Sequence, residues 1–276
     1  MSLCKESILE EALSRATKKG DLEGVKYFLL KCNDFEKNSK KCLLNATWNG
    51  KLNIVKYLVS RGVDKTDQAL PKAIIKGHFE IIKYLFSKGF LCNGLCHIAI
   101  KHTAKRGRLN IIEFLFSKGV LYKWRNLSSA IEGAAMGEHL DILNFLISKQ
   151  PILPKFIVID PPIYTLKDSY IAFIISGAAI GGKLKLLKYY VEEKKIENPV
   201  LRDFTYKYSL EDAARHGHLK VVKYLISKGV DKNMGMYGVI RSLKYNSDLP
   251  FEKMRSLTDE EVVKYHVNNS TKTNNI

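Results

Sequence analysis

Apolar residues along this chain recur in two alternating settings. In the more regular one they fall at helical spacing: Ile54, Val55, Leu58 and Val59 stand at i, i+1, i+4 and i+5 with Tyr57 beside them, while Lys56 and Ser60 point the other way. Such a stripe predicts an amphipathic helix of about three turns. The phrase occurs seven times, at Gly20 to Phe28, Gly50 to Leu58, Gly77 to Leu85, Gly107 to Leu115, Glu138 to Leu146, Gly182 to Tyr190 and Gly217 to Leu225. It usually closes on a Gly preceded by Lys or Arg, as in Ser60-Arg61-Gly62 and Ser227-Lys228-Gly229. Glycine takes the left-handed conformation that ends a helix, and a cation suits the negative end of the helix dipole.

The second setting is a shorter apolar run ending in small residues, such as Ala69 to Ala73, Ile131 to Ala135 and Leu210 to Ala214, just upstream of each phrase. Small residues let two helices approach closely, so the unit reads as helix, tight turn at Gly, helix, then a loop. The third position of the phrase (Leu22, Leu52, Phe79, Leu109, Leu140, Leu184 and Leu219) recurs at spacings of 30, 27, 30, 31, 44 and 35 residues. A unit of that size cannot bury its own apolar face and must lay it on a neighbour, which predicts a stacked all-α solenoid.

The phrase G-H-x-E-I-V-K-Y-L-x-S-K-G-V-D, with Ala-Ala ahead of the Gly, resembles the ankyrin repeat over about residues 6 to 231, most closely around Gly50, Gly77 and Gly217. Its Lys-Tyr-Leu-rich form is similar to ankyrin proteins of giant amoeba-infecting DNA viruses. The resemblance implies a non-catalytic scaffold that binds a protein, a host protein if the chain is viral, along a concave face. The chain departs from the family in two ways. The T-P-L-H motif that opens the first helix is missing from every unit, which puts its hydrogen bonds between hairpin loops in question. Glu138 also replaces a turn Gly.

Charge adds a second picture. The net charge is +17, and Lys26, Lys56, Lys83, Lys188 and Lys223 share one slot of the second helix while Lys88, Lys118, Lys149 and Lys228 share another, drawing two basic ladders along one face. Basic stripes suit acidic partners. With 36 Lys against 9 Arg, however, the composition does not favour phosphate and base reading, and nucleic acid is not the expected partner. Five cysteines without framework spacing suit a reducing compartment, and an intracellular location is expected. Neither a secretory start nor a membrane-spanning run is apparent, and a monomer is expected.

No motif of an enzyme, cofactor or metal site is recognisable. Cys92, Cys96, His97 and His102 lack the paired spacing of a zinc site and read as side chains of a first helix. His78, His139 and His218 recur after the turn and read as structural. Specificity is expected where units differ, in the column two residues before the turn Gly: Lys18, Trp48, Ile75, Lys105, Met136, Ile180 and Arg215. Trp48 stands out either as a binding anchor or as a cover over the first loop.

A stretch from Gln150 to Tyr170 lengthens one unit and holds Pro151, Pro154, Pro161 and Pro162, so it reads as an insertion, an extended finger carrying Phe156 and Tyr164 as candidate contacts. A degenerate repeat packed on the stack is the alternative. After Val230 the pattern fades. Residues 232–267 read as an atypical unit capping the core, with a capping box at Thr258 to Glu261, and 268–276 as a disordered tail. A second reading of Leu249 to Met254 is a vestigial F-box-like segment that would recruit a ubiquitin ligase.

Overall fold

The computed structural model describes residues 2–63, 65–149 and 165–231, with side chains from residue 6 onward. The predicted cap, tail and F-box-like segment lie outside the described residues, as do Phe156 and Tyr164. Seven helix pairs follow one another along the described chain: α1 (Ser2–Lys19) and α2 (Leu22–Lys31), α3 (Phe35–Trp48) and α4 (Leu52–Ser60), α5 (Ala69–Lys76) and α6 (Phe79–Ser87), α7 (Cys96–Lys105) and α8 (Leu109–Ser117), α9 (Trp124–Gly137) and α10 (Leu140–Ser148), α11 (Leu166–Ile180) and α12 (Leu184–Tyr189), α13 (Pro199–Arg215) and α14 (Leu219–Ser227). No strand occurs among the described residues. The fold is an all-α repeat solenoid.

Each second helix is short because its apolar stripe is short, and a Gly with positive φ follows at 62, 89, 119 and 229. First helices are longer than the apolar runs suggest. Asn198 caps α13 by accepting from the Leu201 N–H at 3.0 Å, and Pro199 starts the helix where no N–H is needed. Thr165 caps α11 in the same way, accepting from the Asp168 N–H at 3.0 Å. This corrects the reading of Gln150 to Tyr170 as one non-helical finger: residues 166–170 form the first turn of α11, and Tyr170 is a core residue, 2 % exposed.

The chain divides into two compact units, one of Met1–Thr103 with Asn110–Leu121, the other beginning with Ala104–Leu109 and resuming at Tyr122. In the first, Leu29, Leu43, Ile54, Leu58, Ile74 and Leu85 are buried between successive helix pairs. In the second, Ile131, Leu143, Leu146, Ile174, Leu187, Leu210 and Leu225 do the same. There, α9 and α11 approach so closely that a Cβ on Gly177 would strike the Glu132 carbonyl oxygen and come within 2.9 Å of Ala135 Cβ.

Three side-chain ties join successive helix pairs in this chain without the T-P-L-H motif. The Glu6 carboxylate accepts from the Asn33 N–H at 3.2 Å and from Asn33 Nδ2 at 2.7 Å, tying α1 to the loop before α3. Asp168, 1 % exposed, accepts from the N–H groups of Glu197 and Asn198 at 2.9 and 3.2 Å, tying α11 to the loop before α13. Two backbone donors compensate this buried carboxylate for lost water. The Thr103 hydroxyl donates to the Ile74 carbonyl at 2.7 Å inside the first unit.

The predicted structural histidines make a further tie. His78 donates from Nε2 to the Trp48 carbonyl at 3.1 Å, His139 to that of Lys105 at 3.0 Å and His218 to that of Ile180 at 2.9 Å. A carbonyl only accepts, so Nε2 carries the proton in each. The ring then lies over the preceding turn glycine: a Cβ on Gly50, Gly107 or Gly182 would come within 2.5–2.6 Å of it. Those glycines also have φ of 71°, 68° and 67°, so the turn demands Gly for its backbone and the next unit demands it for space. Glu138 is the exception. It holds φ 62° without being Gly, and the residue in the following cover slot is Lys183, whose Nζ lies 3.6 Å from Glu138 Oε2. A long, flexible cation fits over a turn that bears a side chain, whereas an imidazole would not.

Candidate binding surface

The two sides of the helix pairs treat their aromatic residues differently. On the second helices, Lys26 lies over Tyr57 of the next pair at 5.7 Å from the ring centroid, Lys56 over Tyr84 at 6.0 Å and Lys188 over Tyr224 at 5.2 Å. The lysines just after the closing Ser of these helices fold back on their own helix: Lys88 over Tyr84, Lys118 over Phe114, Lys149 over Phe145 and Lys228 over Tyr224. The second predicted ladder and, with Lys83 over Phe79, four lysines of the first therefore end on aromatic rings of the second helices. Each such contact is worth ~0.5–1 kcal/mol at an exposed site. Carboxylates add to it: Glu23 pairs with Lys26, Glu80 with Lys83 and Glu192 with Lys228. Hydrogen bonds from Lys228 and from the Tyr224 hydroxyl hold the Glu192 carboxyl below its ordinary pKa. These lysines are engaged with their own scaffold.

The expected specificity column lies on the first helices and the residues that end them. Lys18 and Lys105 are exposed, while Ile75, Met136 and Ile180 are half-buried. The carbonyls of Trp48, Lys105 and Ile180 are the acceptors of the histidine ties, so the backbone at those positions is fixed while the side chain stays free to vary. Arg215 departs from the expectation. Its guanidinium is spent on Glu211 at 2.7 Å and Asp212 at 3.0 Å, one turn back on its own helix. Burial raises the Asp212 carboxyl above its usual pKa, and Arg215 opposes that shift.

Trp48 is 39 % exposed, and Lys76 and Lys72 of α5 place their ammonium groups 4.1 and 5.7 Å from its ring centroid. It is half open to solvent and half covered by lysine.

Sequence reasoning missed a groove between α11 and α13. Ser169, Ala172 and Ser176 make a stripe of small residues on α11; opposite stand Leu201, Phe204, Thr205 and Tyr208 of α13, with Phe173 and Trp124 forming the remaining wall. The cavity is about 260 Å³. Trp124 meets Phe173 edge-on at 5.5 Å, and Phe204 lies 4.3 Å from Tyr208. Phe204 and Tyr208 are 56 % and 45 % exposed, and no cation covers any of these rings among the described residues. The available signal was the spacing of Phe204, Tyr208 and Leu201 at helical intervals upstream of Leu210.

The remaining chemistry is sparse. Cys92 and Cys96 lie close together at the start of α7, their Cα atoms 5.5 Å apart. Burial raises the thiol pKa of Cys42 to about 11, which keeps it an inert core group. No cluster of three or more His, Cys, Asp or Glu that could hold a metal occurs among the described residues, and no described helix is long and apolar enough to cross a membrane.

Comparison with known families places names on this geometry. Residues 13–96 match the model of ankyrin repeats in three copies, and residues 210–235 match that of a single ankyrin repeat. Those two stretches read as ankyrin repeats, which are generally protein–protein interaction modules of non-catalytic scaffolds. Alpha-latrocrustotoxin-Lt1a of Latrodectus tredecimguttatus is similar to it, 32 % identical over 106 residues, which is 38 % of this chain and 7 % of that protein. The chain thus spans a small fraction of the length of the curated relative it matches.

Proposed function

We propose that this chain is a non-catalytic scaffold that binds a protein partner through the side chains of its first helices. The observation that supports it is the contrast between open and covered aromatics. Rings on the second helices are met by lysines, whereas Trp124, Phe173, Phe204 and Tyr208 line a groove with no such cover. A preformed depression lined by aromatics without a covering cation is what a partner's apolar side chain would fill, and helices hold these rings without further loss of conformational entropy. A host protein as that partner rests on the viral likeness of the repeat phrase alone.

The test is affinity capture by the full chain from cell extract at moderate salt with nuclease present, beside a Phe204→Ala/Tyr208→Ala variant. A discrete protein captured by the native chain and at least tenfold less by the variant supports the reading. Capture that needs intact nucleic acid, or that is indifferent to the variant and to every first-helix substitution, overturns it.

A further inference from the structure

Charge is distributed unevenly over the first helices. In α1 and α3 the cations meet carboxylates: Arg15 with Glu11, Lys37 and Lys41 with Glu10, Lys40 with Glu36. Neither α5 nor α7 contains an Asp or Glu, although each carries two lysines. On α5 those lysines, Lys72 and Lys76, turn to the Trp48 indole and have no carboxylate partner among the described residues. The 4.1 Å approach of Lys76 is the shortest between a cation and a ring among the described residues.

Two like charges gathered on one ring lie within about one Debye length (~10 Å at 0.1 M salt) of each other. Their mutual repulsion is relieved by an anion placed beside both. The ring also holds each ammonium in place, so part of the side-chain entropy that an exposed lysine loses on docking is already lost. The rest of the indole and the half-buried Ile75 offer apolar contact next to the charge.

We propose that Trp48, Lys72 and Lys76 form a recognition point for an acidic linear segment of a partner protein, one that carries a carboxylate beside an apolar side chain. The proposal rests on the protein-binding reading above and adds the chemistry of the partner. Nucleic acid fits less well. The ring face on which a base would stack is taken by Lys76, and α3 and α5 supply no arginine fork for a phosphate.

The experiment is to pan a displayed library of random 15-residue peptides against the full chain and against its Lys72→Gln/Lys76→Gln and Trp48→Phe variants, all folded by circular dichroism. Enriched peptides are expected to carry Asp or Glu next to an aliphatic or aromatic residue. A synthetic copy of one should bind the glutamine variant at least tenfold more weakly, with a smaller loss for Trp48→Phe. Enrichment of neutral or basic peptides, equal binding to the glutamine variant, or no enrichment overturns the proposal. So does a mixed-sequence 15-nucleotide single strand that displaces the peptide and binds more tightly through the same lysines. If the glutamine variant still captures the protein partner that Phe204→Ala/Tyr208→Ala loses, the scaffold reading stands and only the acidic-segment proposal falls.

Discussion

The second helices of this molecule are nearly copies of one another, while the first helices differ in length, charge and aromatic content. α6 and α14 share the pattern apolar-x-apolar-apolar-Lys-Tyr-Leu-x-Ser, but α5 spans 8 residues and α13 spans 17. The difference teaches where each kind of residue is constrained. A second helix must pack its stripe into the core and present its Tyr or Phe to lysines of its own and the preceding pair, so little can change. Three first helices, α3, α7 and α11, are held through a carbonyl by the next unit's histidine, which leaves the side chain at that position free to vary.

If that division is right, the largest expected effect comes from the core of a second helix. Leu58→Ala should cost ~2–5 kcal/mol by leaving a cavity, read as a fall in denaturation midpoint, whereas Phe204→Ala should stay within ~0.5 kcal/mol and lose partner capture instead. Equal destabilisation by both would erase the comparison. Next comes the turn itself. Gly182→Ala should cost ~1–3 kcal/mol, because it forces a left-handed alanine beneath the His218 ring. The converse change, Glu138→Gly together with Lys183→His, should build a Gly–His pair where none exists and raise the thermal midpoint.

A smaller effect separates the covered rings from the open ones: Tyr224→Leu should lose about 1 kcal/mol by releasing Lys188 and Lys228, measurable by urea unfolding. The smallest is set by pH. Burial lowers the His218 pKa from 6.5 in the folded chain. The native state therefore binds fewer protons than the unfolded one, and the stability it contributes is complete above about pH 6.5 and is lost as pH falls through the folded value. Melting temperatures at pH 8 and pH 5 should differ less in His218→Gln than in the native chain.

Much of the scaffold was legible because its constraints are local. The Gly before each phrase, the helical stripe and the closing Lys-Gly each act within a few residues, so the register of all seven pairs could be read even past Glu138. The groove was not legible, because it is assembled from α9, α11 and α13 and depends on how far each extends. Tyr170 was assigned to the proline-rich finger since the capping role of Thr165 went unrecognised, and Phe204 and Tyr208 lie upstream of the small-residue run that marked the helix. The intramolecular use of Arg215 was legible in principle, because Glu211 and Asp212 stand four and three residues before it on one helix.

The imidazole over the glycine turn also sets a rule of succession. A unit that begins with His can follow only a unit whose turn lacks a side chain, while one that begins with Lys tolerates either. Duplicating, deleting or transplanting a unit therefore changes two partners at once. The array is better regarded as a chain of matched neighbours than as a pool of interchangeable modules.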